Sequence, residues 1–175
     1  MANVFLSPST QDFNPVVIGG NEEQYANEIT DLLEPQLRNL GINFSRNDRT
    51  KTVGQSIRDS NAGFYNLHLA IHSNAAPPNL SGQLRGIDVY YNQNSPIGKQ
   101  VAELFANNLK NIYPDPERVR AVPTTTLVEL NRTKAPAILL ELGYHDNVED
   151  ATWLVNNTQR IADNLADSLR QIYIG

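Results

Sequence analysis

Ala137-Ile138-Leu139-Leu140, followed by Glu141, is an uninterrupted apolar run closed by an acid. A strand with one wet face alternates, so an unbroken run of this length predicts a central strand covered on both faces. Outward from it, Ile161, Leu165, Leu169 and Ile172 give the last segment a helical stripe, and Val101, Leu104, Phe105, Leu109 and Ile112 mark another helix, broken at Pro114 and Pro116. Ile87 to Tyr91 is a strand, and Phe64 to Ile71 another that ends at His72-Ser73-Asn74; the Pro- and Gly-bearing stretch Ala75 to Gly86 is the loop between them.

Nearer the N-terminus, Val4 to Leu6 predicts a buried first strand stopped by Ser7-Pro8. Asn21 with Gln24 three residues on resembles a capping box. The helix it opens has Tyr25, Ile29, Leu32, Leu33, Leu37 and Leu40 on one face and closes at Gly41. Pro35 inside that pattern should kink the helix or detach its last turn. Ile42 to Ser45 is a second strand and Ser56 to Ala62 a short helix. Strands alternating with helices predict an α/β three-layer sandwich, a mostly parallel sheet with helices on both faces. Residues 1–175 show no repeat and no second domain, and their length suits one domain with a genuine core.

Composition narrows the chemistry. The chain has no cysteine, so a disulfide framework, a thiolate metal site and a cysteine nucleophile are excluded. Any metal must be held by Asp, Glu or the three histidines His68, His72 and His145. A formal charge of −5, with no Lys/Arg run, argues against a nucleic-acid partner. No segment approaches the roughly 18–20 apolar residues of a membrane span. The opening Met1-Ala2-Asn3-Val4-Phe5-Leu6 lacks the basic flank and apolar stretch of a signal peptide.

Ligands of such sheets sit beyond the carboxyl ends of the strands. Thr10, His72 and Glu141 all fall there, which makes three scattered residues one candidate site. His72 is either a metal ligand or a hydrogen-bonded histidine at a strand end. Glu141 emerges from the most buried strand; it is either salt-bridged or raised in pKa and suited to proton transfer. Glu22 and Glu23 open the first helix, where the dipole alone would favour acids. His68 lies about 13 Å from His72 along the strand, so the two cannot share one ion, and it is expected to be a packed or surface residue.

These segments resemble, in order and across nearly the whole chain, the zinc-dependent N-acetylmuramoyl-L-alanine amidases, type 3. Asn21-Glu22-Glu23-Gln24-Tyr25 looks like the family's first-helix segment with its ligand acid, and Ser45-Arg46-Asn47-Asp48 like its next strand. Ala70-Ile71-His72-Ser73-Asn74-Ala75 is similar to the block bearing a zinc-ligand histidine. Arg132 to Tyr144 resembles the segment with the catalytic acid, here Glu141, and Asp146-Asn147 and Glu149-Asp150 continue the agreement. The resemblance implies hydrolysis of the amide between N-acetylmuramic acid and L-alanine of peptidoglycan, a zinc cofactor, and action at the bacterial cell wall. Release when a host cell opens is one route there, and a leader trimmed from the chain another.

One departure matters. Where the family carries its first histidine ligand, Leu6-Ser7-Pro8-Ser9-Thr10-Gln11 has Thr10, a poor zinc ligand. His145, four positions after Glu141, is a substitute; the expected ligands are then Glu22, His72 and His145, with Thr10 behind them. The rival role for His145 is to cap a helix starting near Asn147. Two other functions stay open: a peptidoglycan-binding relative that has lost zinc and catalysis, and a zinc exopeptidase of similar layered fold, which needs more Asp and His ligands than this chain offers.

Overall fold

A computed structural model describes residues 2–175. Six strands form one sheet in the order β2-β1-β3-β6-β4-β5. They are β1 (Asn3–Pro8), β2 (Asn43–Arg46), β3 (Leu67–Asn74), β4 (Ile87–Asn92), β5 (Val119–Thr124) and β6 (Ala137–Tyr144). All neighbours are parallel except β4 and β6. The architecture is therefore the expected α/β sandwich on a mostly parallel sheet. The apolar run is indeed central, with β6 between β3 and β4.

Side-chain alternation divides the two faces. Val4, Leu6, Leu69, Ile71, Val89, Ile138, Leu140 and Leu142 belong to the larger core. It is closed by α1 (Glu22–Asn39), α3 (Pro96–Leu109), α5 (Val148–Asn156) and α6 (Thr158–Tyr173). The opposite face carries His68, Ala70, His72, Leu139 and Glu141 in alternation. Among the described residues two short helices, α2 (Val53–Ala62) and α4 (Val128–Arg132), pack there. That thin cover leaves the carboxyl edge of β1, β3 and β6 open.

Several sequence expectations are corrected. Phe64 is 96% exposed and β3 begins only at Leu67. α1 runs through Pro35 to Asn39 without detaching its last turn. β5 and α4 carry no sequence signal of comparable strength: β5 is an edge strand with Arg120 and Pro123 in it, and α4 spans five residues. Asn21 caps α1 as expected, accepting from Gln24 N at 2.8 Å.

The long loop before β4 is pinned to the end of β6. Asp146 accepts from Ala76 N and Gly82 N, and Asp150 from Gly86 N and Tyr144 N. Gly86 has φ +125°, and a Cβ there would stand 2.5 Å from the carbonyl oxygen of Arg118. Gly86→Ala is therefore expected to destabilise the fold by more than about 1 kcal/mol, since both the left-handed backbone and the fixed carbonyl oppose it. An unchanged urea midpoint would contradict that.

Candidate active site

At the open edge, β3 and β6 place His72 and Glu141 side by side in register. α1 starts above them, and its two leading acids take different partners. Glu23 pairs with Arg49, whereas Glu22, only 2% exposed, puts Oε1 2.8 Å from His72 Nδ1. Asn14 Nδ2 donates to Glu22 Oε2 at 2.7 Å and to Gln11 Oε1 at 3.1 Å, and Gln11 Nε2 stands 3.5 Å from His72 Nδ1. On the other side of the ring, His72 Nε2 faces Glu129 Oε2 at 3.3 Å. A cavity of about 490 Å³ opens over the cluster, with His72, Glu129, Glu141, Thr10 and Gln11 among its walls. Apolar side chains from β1, α2 and α4 complete it.

The charges are strongly coupled. Burial pushes the Glu22 carboxyl up, but hydrogen bonding and charge from His72, with Asn14 and Ser9, outweigh it and lower the pKa. Burial likewise opposes ionisation of Glu129, and His68 and His72 together hold it well below the usual carboxylate range. Burial acts on His72 in the downward direction, yet hydrogen bonds to Glu129 and Glu22 leave it well above an ordinary imidazole.

Glu141 is the exception. Its Oε2 is buried without a hydrogen-bond partner, and its register neighbour Asp88 is already engaged by Arg120 Nη2 at 2.8 Å. Burial pushes it up to about 8; His72 works against that, and the negative charges of Glu22, Asp88 and Glu129 reinforce it. The salt-bridged alternative for Glu141 is thus not what the structure holds. With the unfolded value at 4.5 and the folded one raised, the folded protein binds the extra proton between them. Stability then falls as pH rises across that window. In chelator, Glu141→Gln should gain stability over the parent progressively from pH 4.5 towards 8; parallel melting-temperature profiles would contradict this.

The expected trio does not assemble. His145 is buried, but its Nδ1 meets Ser73 Oγ at 2.9 Å, and Ser73 follows His72 on the strand and points to the opposite side. Among the described residues no three His, Asp or Glu side chains converge as a metal site. His145 does not cap α5 either: Asn147 does, accepting from Glu149 N and Asp150 N. His145 serves instead as a tie, its backbone bonded to Asn74 O and Val17 N. Thr10 lines the cavity, but the side chain brought to His72 from that loop is Gln11. His68 is fully buried, as one of its two expected roles required. Residues 10–171 match the N-acetylmuramoyl-L-alanine amidase family.

The chain belongs to that family. No curated protein matches it by sequence. Solved amidase structures share its fold at low identity. The N-acetylmuramoyl-L-alanine amidase AmiC2 of Nostoc punctiforme is 18% identical with a TM-score of 0.83, covering 98% of this chain and 96% of that one. The catalytic domain of the amidase CwlV from Bacillus (Paenibacillus) polymyxa var. colistinus is 18% identical at 0.82, with 98% of both chains covered. The amidase of Clostridium difficile 630 is 16% identical at 0.81, covering 99% of this chain and 98% of its own.

As an amidase-family site, the cluster supplies two donors of the kind zinc prefers, the Glu22 carboxylate and the His72 imidazole, side by side. No third such donor converges with them among the described residues. Two side chains of the cluster, Gln11 and Asn14, carry no usable sequence signal. For Glu129 a faint one existed, an acid set among Leu127, Val128 and Leu130.

Proposed function

We propose that the chain hydrolyses the amide between the lactyl carboxyl of N-acetylmuramic acid and L-alanine in peptidoglycan, and so acts at the cell wall. The observation carrying this is Glu141, a half-buried carboxyl with one buried, unpartnered oxygen and a pKa near 8 on the floor of an open cavity, in a member of this family. A group poised near the working pH is suited to take a proton and give it back. Glu141 removes a proton from water during attack on the lactyl carbonyl and then delivers it to the departing L-alanine nitrogen. Free of metal, His72 is held cationic by Glu22 and Glu129 beside the reacting carboxyl and limits the build-up of negative charge there; a metal on Nδ1 would take the place of that proton.

Glu22 and His72 Nδ1 are the donors that would hold a zinc ion, which when bound supplies carbonyl polarisation and a more acidic water. With only two protein donors its hold would be weak. The other reading, a peptidoglycan binder without catalysis, takes its support from that missing donor. It leaves the burial of an unpartnered Glu141 oxygen, which costs stability, without a role.

Incubation with purified cell walls tests the proposal. New L-alanine amino termini should appear without new reducing sugar ends, and added zinc should raise the rate. Binding to the walls with neither product would favour the non-catalytic reading.

A further inference from the structure

Glu129 takes no part in the hydrolysis above, yet it is the most heavily engaged carboxylate at the cavity. It sits in the first turn of α4, 2% exposed, and three side chains converge on its two oxygens. Oε1 accepts from Ser7 Oγ on β1 and pairs with His68 Nε2 at 2.9 Å. Oε2 faces His72 Nε2 at 3.3 Å. His68 is itself clamped: its Nδ1 meets Ser60 Oγ of α2 at 2.9 Å, and its ring stacks on Phe5 with centroids 5.3 Å apart.

A purely structural pairing accounts for only half of this. Ser7 and His68 already engage one oxygen of the buried acid, and a buried pair is often no more stabilising than apolar side chains of similar volume. Here the second oxygen is turned to the cavity histidine. His68 and His72 lie on one face of β3 with Ala70 between them, small enough to leave the carboxylate room. All three partners of Glu129 can donate, so the hydrogen-bond pattern assigns a proton to His72 Nε2. The other nitrogen of that ring then faces Glu22.

We propose that Glu129 is a positioning residue: braced by Ser7 and the clamped His68, it accepts from His72 Nε2–H and so turns Nδ1 of His72 to Glu22 in the reacting cavity. This rests on the reading of His72 as part of the active site. A carboxylate behind a working imidazole fixes the ring's orientation and tautomer, and removing such a partner typically costs about 10–100-fold.

Glu129→Gln tests it, because the amide offers one acceptor and one donor to three groups that all donate. Nitrogen-15 NMR of the histidine rings should show His72 Nε2 protonated in the parent and shifted in the variant. On cell walls, kcat should fall by about 10–100-fold with KM unchanged, and zinc affinity against a competing chelator should fall alongside. A folded variant with the parent's His72 signals and kcat would overturn the proposal. If the variant does not fold, the parent ring decides: an unprotonated His72 Nε2 overturns it, a protonated one that shifts in Ser7→Ala supports it. The ring measurement needs no substrate. A responsive ring in a protein that never releases L-alanine termini would therefore sink the proposed function and leave the positioning intact.

Discussion

Glu141→Gln is expected to lower amide hydrolysis by about 10²–10⁴-fold while leaving the fold intact. The amide matches the carboxyl in shape and is neutral, as the parent group is at pH 7 with a pKa near 8. What it loses is the ability to accept a proton from water and return it to the leaving nitrogen. Rates of amine release from cell walls, set beside thermal melts, measure both halves. A variant that keeps near-parental rates shows that Glu141 is not the proton carrier. The parent's kcat/KM should also rise with pH towards about 8, because only the ionised form can act as base.

The largest stability effect is expected from His72→Ala. It leaves Glu22 and Glu129, both nearly inaccessible, facing a void without their shared cation. Removing one member of a buried ion pair costs about 3–5 kcal/mol. The sign of the pH dependence follows from the shifts. Glu22 and Glu129 are depressed below 4.5, so their share is present above that value and lost as pH falls through the folded pKa. His72 is raised above 6.5, so its share is present below 6.5 and lost as pH rises through its folded value. The deficit of the variant should be greatest between pH 4.5 and 6.5 and shrink in acid. Urea unfolding across that range checks it, and a deficit independent of pH would contradict the ionic account.

Those two residues were legible in the sequence because each directly follows the apolar run of its strand, a pattern that is local. Ala137 to Leu140 announces a central strand, and whatever follows it must emerge at the carboxyl edge, which places Glu141. His72 follows in the same way from Leu69-Ala70-Ile71. Glu22 was legible only as one of two acids; that Arg49 takes Glu23 is a contact between distant segments and has no local signature. Glu129 illustrates the limit. Its helix is too short for a period, and its three partners lie 122, 61 and 57 residues away in the chain. His145 misled for the converse reason. Proximity in sequence to Glu141 suggested proximity to its chemistry, but β6 shifts register against β3 by one residue around Gly143, where φ is +86°, and His145 is carried to Ser73.

The central claim is that water is added across one particular amide, and isotopic labelling of the products tests it most directly. Cell walls digested in water enriched in oxygen-18 should yield one labelled oxygen in the lactyl carboxyl of N-acetylmuramic acid and an unlabelled peptide starting at L-alanine. The Glu141→Gln variant should yield neither product above background. Label in a reducing sugar end, or in a carboxyl of the stem peptide, would mean that a different bond is cut and would contradict the account.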